Sequence, residues 1–295
     1  MDLIPLYKSN IKNILVIGGG GAKGIAALGI CSYLYENKIL VNPDIYCGTS
    51  IGSVIVTLLA IGYKPKELYK LLYRIDFSNL FNFDYEKFLF ASRHFGLSSL
   101  NNLIEIIIIC FEKKNLSKDI TFKEFYDLTK KKIIISGTCL NKLSSEYFSV
   151  DTYPETKIID ALRISMSIPI ITEPQIINKN INGKDINEYW VDGAVMDNYP
   201  IQLFNDRLDD VIGIYLMDKF NEELNIEGFD SFFMALLKCF WKGSNFYKLE
   251  IYKNQTIVLN CDFEQNIYFK IDKKTKKEMY DFGYQMGIEY YSNKK

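Results

Sequence analysis

The sequence predicts a single-domain, three-layer α/β fold in which helices flank a mainly parallel central sheet. Short apolar runs rich in β-branched residues alternate with segments whose apolar residues have helical spacing. Strands that alternate with helices typically form a parallel sheet covered on both faces. The chain has 295 residues, of which 48% are hydrophobic, enough to bury one large core.

The first elements follow from apolar periodicity and from glycine or proline at their boundaries. A continuous apolar run predicts the first strand, and a glycine-rich turn separates it from a helix with apolar residues three or four apart. The second strand enters another glycine turn, its helix is closed by Gly62, and Pro65 opens a further helix. These strands span 14–17 and 44–47, and the first two helices span 25–37 and 53–61.

The alternation resumes after an irregular, aromatic-rich stretch at 77–95. Thr121 is predicted to cap a helix, because Glu124 stands at the capping-box position. Pro169 ends a later helix, and the Asn-Gly pair at 182–183 marks a tight turn between strands. Predicted helices span 100–111, 122–129, 158–167, 229–241 and 274–291, and predicted strands span 132–140, 146–150, 170–177, 188–191, 210–217 and 256–260.

Charge and composition narrow the possible partners. Lys and Arg number 35 and Asp and Glu 36, so the net charge of -1 argues against a nucleic-acid binder. The six cysteines include no C-x-x-C pair, as expected of buried free thiols in a reducing compartment. Residues 1–12 lack a signal-peptide pattern, and the apolar run at 106–111 is too short to span a bilayer. We therefore expect a soluble, cytoplasmic protein whose membrane contact is peripheral; the sequence indicates no oligomeric state.

Residues 48–52 form a G-x-S-x-G sequence between a predicted strand and a predicted helix. Gly48 and Gly52 leave room for neighbouring backbone, so the Ser50 hydroxyl can project at the positive end of the helix. The alternative is an ordinary glycine turn whose serine caps the helix. The flanking strand and helix favour a nucleophile.

The loop from Gly18 to Gly24 follows the first strand and can direct several backbone N–H groups into one concavity. Such donors stabilise a developing oxyanion by roughly 3 kcal/mol each. Lys23 adds positive charge beside the loop or packs structurally. A P-loop is excluded because Lys23 precedes Gly24 and no Ser or Thr follows. A dinucleotide fingerprint is disfavoured because Asp44 begins the next strand instead of ending it.

A serine nucleophile needs a group that accepts its proton. His94 is the one histidine of the chain and lies in the aromatic stretch, not after an acid near the C-terminus as α/β-hydrolases require. Asp192 is the candidate, since it ends a strand-like run and an apolar surround would raise its pKa. An Asp-Gly pair by itself is more typical of a turn.

Three motifs occur in this order along the chain: Gly-Gly-Gly-Ala-Lys-Gly at 19–24, Gly-Thr-Ser-Ile-Gly at 48–52 and Asp-Gly-Ala at 192–194. Together they resemble the patatin-like phospholipase family, and the segment 161–169 looks like the helix that precedes the catalytic aspartate of that family. The resemblance covers about residues 12–218, the predicted acyl hydrolase domain. Residues 219–295 are expected to complete or cover the same domain.

The resemblance implies a patatin-like fold and a Ser-Asp dyad, with Ser50 as nucleophile and Asp192 as base. It implies oxyanion donors from the backbone of Gly19, Gly20 and Gly21. Relatives hydrolyse acyl esters of phospholipids or neutral lipids, generally without calcium, so no cofactor and no metal are expected. Supporting positions of the motifs are Lys23, Gly24, Gly48, Gly52, Gly193 and Ala194.

Alternatives remain that keep the same motifs. The dyad could transfer the acyl group to an alcohol or lysolipid, or it could cleave neutral lipids. The chain could also be a lipid-binding or regulatory protein without catalysis. Two aromatic stretches could contact lipid: 77–95, as a lid or acyl pocket, and the helix within 229–246, which is more typical of a core helix.

Overall fold

The computed structural model describes residues 11–77, 80, 95–181, 183–218, 226–228, 231–232, 235–236, 238–239, 247–261 and 271–293. Within them the dominant element is a sheet with the strand order β10-β9-β1-β2-β4-β8-β7, and β5 also pairs with β4. The strands are β1 Ile14–Ile17, β2 Ile45–Gly48, β3 Gly96–Ser98, β4 Lys132–Cys139, β5 Ser144–Phe148, β6 Ile170–Thr172, β7 Gln175–Ile181, β8 Lys184–Asp192, β9 Val211–Asp218 and β10 Thr256–Cys261.

The sheet is mainly parallel at its centre. Strands β10, β9, β1, β2 and β4 all run parallel, whereas β8 and β5 pair with β4 antiparallel. Register places the end of β8 at the same edge as the end of β2: Gly48 pairs with Ile135, and Asp192 pairs with Gly137 two residues farther along β4. The candidate nucleophile and base therefore meet at the edge where the parallel strands end.

The central strands are buried on both faces, which explains their continuous apolar sequences. In β1, Leu15 and Ile17 belong to a core cluster formed with the helices, whereas Ile14 and Val16 belong to a second cluster on the other face. The short 3-10 helix Ile201–Phe204 contributes to that second cluster. The helices are α1 Gly24–Glu36, α2 Ile51–Ala60, α3 Pro65–Arg74, α4 Asn101–Glu112, α5 Phe122–Thr129, α6 Ile158–Ser165 and α7 Lys273–Ser292.

The α/β class with a mainly parallel sheet is confirmed, and so is the capping box at Thr121. The single strand predicted at 170–177 is wrong, because the chain forms β6 and β7 separated at residues 173–174. Pro174 lies at this break, where it has no N–H to contribute to a ladder. The predicted strand 188–191 is the inner half of the longer β8, whose residues 184–187 are exposed and polar in pattern.

The C-terminal elements pack against the residues before 218. Strand β10 extends the sheet beyond β9, and α7 crosses α1 where Gly29 and Gly283 bring the two backbones together. The Tyr280 hydroxyl donates a hydrogen bond to Ser32 Oγ at 2.6 Å across the same contact. The helix predicted at 229–241 falls largely outside the described residues.

Two further sequence expectations can be compared with the described residues. Cys31, Cys47, Cys110 and Cys139 are buried free thiols, whereas Cys239 is free and exposed. No helix in the described part of the chain combines the length and apolar character needed to cross a membrane.

Candidate active site

Ser50 lies in a sharp turn between β2 and α2. Its φ is +52°, in the left-handed region that non-glycine residues rarely adopt and that stores backbone strain. The turn is tight enough that a Cβ on Gly48 would lie 2.6 Å from the backbone of Gly52, and a Cβ on Gly52 would overlap the Ile17 carbonyl oxygen. A larger residue at 48 would push the turn open, and one at 52 would push helix α2 away from the end of β1.

The surroundings of Ser50 hold the strained turn and direct its hydroxyl. The Ser50 N–H donates to Ser165 Oγ at 2.9 Å, and the Ser53 hydroxyl donates to the Ser50 carbonyl oxygen at 2.6 Å. The Ser50 side chain also contacts Met166, with Oγ 3.9 Å from Sδ. Ser50 is only 5% exposed, so its hydroxyl faces an interior cavity.

Asp192 ends β8 and is 3% exposed. Burial raises its pKa from 3.8 to about 7, while hydrogen bonds from the Ser50 side chain and the Ala194 N–H act in the opposite direction. The Ala194 N–H donates to Asp192 Oδ1 at 2.8 Å, which fixes the carboxylate at the start of the 3-10 helix Gly193–Val195. A carboxylate with a pKa near neutrality can accept a proton at neutral pH.

The segment Ser165 to Ser167 joins the nucleophile turn to the base. Ser165 Oγ accepts from the Ser50 N–H, and the Ser167 carbonyl oxygen accepts from the Asp192 N–H at 2.8 Å. Met166, between them, contacts the Ser50 hydroxyl. Three consecutive residues therefore fix the relative positions of Ser50 and Asp192.

The glycine-rich loop after β1 lies beside Ser50. The side chain of Asn198 pairs with the Gly19 peptide in both directions: Oδ1 accepts from the Gly19 N–H at 3.0 Å, and Nδ2 donates to the Gly19 carbonyl oxygen at 3.2 Å. Among the described residues, the N–H groups of Gly20 and Gly21 have no hydrogen-bond acceptor. The loop therefore presents Gly20 and Gly21 as open donors, while Gly19 is its anchor.

The loop between Asp192 and Asn198 is held by an ion pair between the buried Asp197 and the partly buried Lys248. Lys248 Nζ lies 2.5 Å from Asp197 Oδ1, and the Tyr147 hydroxyl donates to Asp197 Oδ2 at 2.6 Å. The backbone carbonyl oxygen of Asp197 accepts from Thr49, the residue before the candidate nucleophile. The charged pair thus connects the loop to the nucleophile turn.

Most of the predicted site residues line one cavity, and the others support it. The cavity contacts Gly19, Gly20, Gly21, Lys23, Gly24, Ser50, Asp192, Ala194 and Asn198. Gly48 and Gly193 lie close to neighbouring backbone, and Gly52 is in the first turn of helix α2. His94 lies outside the described residues. Within the ranges described, no group of three or more His, Cys, Asp or Glu residues is placed to hold a metal ion.

The cavity continues from Ser50 between apolar side chains of three helices. Val54 and Leu58 of α2, Leu72 of α3 and Ile107 of α4 are among its walls. Phe77 and Leu80, from the aromatic stretch predicted to form a lid or acyl pocket, also line it; residues 78–79 and 81–94 lie outside the description. A hydroxyl, a carboxylate and open N–H donors at the head of an apolar cavity can together cleave an acyl ester.

Sequence reasoning did not single out Ser165, Asn198 or Lys248. Each acts through a contact with a residue more than 50 positions away, and a hydroxyl, amide or lysine carries no sequence mark of such a contact. The one available signal was position, because Asn198 ends the loop that follows Asp192.

Comparisons with known proteins agree with this geometry. The family model "Patatin-like phospholipase" matches residues 15–205. The chain is 29% identical over 288 residues to "Uncharacterized protein R571" of Acanthamoeba polyphaga mimivirus, covering 94% of this chain and 93% of that protein. It is 32% identical over 199 residues to "Probable lipid hydrolase 463L" of Invertebrate iridescent virus 6, covering 66% and 64% of the two chains.

Among solved structures, VipD from Legionella pneumophila has a similar fold, with a TM-score of 0.57 and 15% sequence identity. The match covers 96% of this chain and 67% of VipD. At this identity the likeness concerns the fold alone.

Proposed function

This chain belongs to the patatin-like phospholipase family and is a lipid hydrolase, and we propose that Ser50 and Asp192 form its catalytic dyad. The observation that carries the proposal is the shared cavity. A buried carboxylate with a pKa of about 7 and a serine in a strained turn line it together, beside backbone donors. The assignment needs no histidine.

In the proposed reaction, Asp192 accepts the Ser50 proton as the hydroxyl oxygen attacks the ester carbonyl carbon. The tetrahedral intermediate collapses, the alcohol or lysolipid leaves with the proton, and an acyl-serine remains. Water, deprotonated by Asp192, then attacks the acyl-serine; the fatty acid is released and Asp192 returns the proton to Ser50 Oγ. The raised pKa of Asp192 supports both proton transfers, since an ordinary carboxylate is a weak base.

Backbone N–H groups of the glycine loop are proposed to bind the oxyanion. The resemblance implies Gly19, Gly20 and Gly21, and the open N–H groups of Gly20 and Gly21 best support this role. Gly19 contributes as the anchor that Asn198 holds. Each open donor is worth roughly 3 kcal/mol in the transition state.

The substrate class and the extent of the domain are also proposals. The apolar cavity supports a lipid acyl ester presented at a membrane or micelle surface, hydrolysed without calcium because each step uses groups of this chain. Residues 219–295 are proposed to belong to the same folding unit as 12–218. Strand β10, helix α7 and Lys248 support this, because each contacts earlier elements.

The test is fatty-acid release from mixed phospholipid vesicles in the presence of a calcium chelator. Wild-type protein should release fatty acid, and S50A and D192N should not. The matched surface substitutions S117A and D160N replace exposed residues and should retain activity. Activity that survives in both S50A and D192N would show that the site is elsewhere, and activity abolished by the chelator alone would contradict calcium independence.

A further inference from the structure

The apolar part of the cavity follows helix α2 away from Ser50. Ser50, Val54 and Leu58 all line it, and their spacing of four residues places them along one face of the helix. A helix rises 1.5 Å per residue, so Leu58 lies about 12 Å along the axis from Ser50. The cavity therefore has a direction and a length measured from the candidate nucleophile.

The opposite walls come from α3 and α4. On α4 the lining residues Leu103, Ile107 and Cys110 lie on one face, and on α3 Leu71 and Leu72 face the same space. The three α4 residues are all buried. Apolar side chains of these helices would therefore contact an extended alkyl chain that enters at Ser50.

Beyond Leu58 and Cys110, the α2–α3 turn is tied to the end of α4. The Tyr63 hydroxyl donates to the Cys110 carbonyl oxygen at 3.0 Å. Lys114 Nζ donates to the Gly62 carbonyl oxygen at 2.9 Å and lies 4.3 Å from the centre of the Tyr63 ring. Tyr63, Gly62 and Lys114 follow Leu58 and Cys110 along the chain and do not line the cavity.

We propose that this cavity binds the acyl chain to be cleaved and that its end at Leu58 and Cys110 limits that chain to medium length. A chain of single bonds advances about 1.2 Å per bond, so about 12 Å accommodates about ten carbons. The inference rests on the proposed function of Ser50, and Leu58 is its specificity-determining residue.

Turnover of a graded ester series tests the limit. For wild-type protein, kcat/KM should rise from the butyryl to the decanoyl p-nitrophenyl ester, as each added methylene is buried, and then fall about tenfold or more for the palmitoyl ester. L58A should move the optimum to longer chains, and V54F, one turn closer to Ser50, should move it to shorter ones. V56A is the matched control, because Val56 is buried on the same helix but does not line the cavity.

The ratio of the kcat/KM values for two acyl lengths separates selectivity from folding, because a partly unfolded variant loses activity on all esters equally. A wild-type protein that hydrolyses palmitoyl and decanoyl esters equally well would overturn the proposal. So would an L58A profile that coincides with that of V56A.

Binding of the product acids gives a readout that needs no turnover. In S50A, decanoate should raise the melting temperature more than butyrate or palmitate, and S50A/L58A should shift the preference towards palmitate. If no ester is hydrolysed but this order is found, the proposed function fails and the chain-length limit stands. If esters are hydrolysed and neither readout depends on chain length in this way, the limit fails and the function stands.

Discussion

Replacing Asp192 by asparagine should inactivate the enzyme and, at the same time, stabilise the fold at alkaline pH. The Asp192 carboxylate is buried with a pKa raised from 3.8 to about 7, so the folded protein holds its proton more tightly than the unfolded chain does. The contribution of Asp192 to stability is therefore fully present below pH 3.8 and is lost as the pH rises through the window up to about 7. The asparagine side chain of D192N carries no charge, so the substitution removes this dependence.

The magnitude follows from the two pKa values. Each tenfold difference in proton affinity is worth about 1.4 kcal/mol, so the full window corresponds to about 4 kcal/mol. Between about pH 5 and about pH 8.5, the wild type should lose about 3 kcal/mol more stability than D192N. An asparagine side chain can retain the hydrogen bond from the Ala194 N–H, so the local geometry is preserved.

The assay is denaturant unfolding of both proteins at the two pH values. Other titrating groups are common to both and cancel in the difference. S50A is the matched control, because it is inactive yet retains the Asp192 carboxylate. It also lacks the Ser50 hydrogen bond that lowers the Asp192 pKa, so its stability should depend on pH at least as strongly as that of the wild type. A stability difference between D192N and wild type that does not change with pH would refute the raised pKa and, with it, the role of Asp192 as a base near neutrality.

Three further predictions concern the same site. The kcat/KM of the wild type should rise with pH to a half-maximum near 7, because only deprotonated Asp192 accepts the Ser50 proton; a pH–rate profile on a soluble ester measures this. N198A should lower kcat about 10- to 100-fold with little change in KM, since it releases the Gly19 peptide beside the open donors, and steady-state kinetics separate the two constants. K248M should cost about 1–3 kcal/mol in urea unfolding, because the buried Asp197 carboxylate loses its cation but keeps the hydrogen bonds from Tyr147 and Gln202.

Each of these three has its own control. If kcat/KM has already reached its maximum below pH 6, about one unit under the pKa of Asp192, the predicted pH–rate profile is contradicted. For the second, N178A removes an exposed amide of the β7–β8 hairpin and should leave kcat unchanged; an N198A effect confined to KM would argue against oxyanion-loop positioning. For the third, K248M/D197N should recover part of the lost stability, and a single variant as stable as wild type would show that the pair contributes nothing.

Elements determined by residues close together in the sequence could be predicted from the sequence alone. Parallel strands buried on both faces carry continuous apolar runs, which made β1, β2 and β4 predictable. Turns that need glycine at a close approach marked the elbow around Ser50, and the capping box marked the start of α5 at Thr121.

Contacts between distant segments could not be predicted in the same way. The small sheet of β3 and β6 joins three-residue strands from 96–98 and 170–172, too short to show a period of two. The Gly19–Asn198 pairing depends on loop positions 179 residues apart, so the sequence did not reveal that Gly19 differs from Gly20 and Gly21. The acyl cavity likewise arises only when α2, α3 and α4 are packed together.

Covalent labelling by an alkyl fluorophosphonate, followed by mass spectrometry of the intact protein and its peptides, tests the Ser50–Asp192 dyad directly. We expect one adduct, mapped to Ser50, that is absent in S50A and forms much more slowly in D192N. The labelling rate of the wild type should rise with pH to a half-maximum near 7. An adduct on another residue, or labelling of D192N at the wild-type rate, would contradict the Ser50–Asp192 dyad.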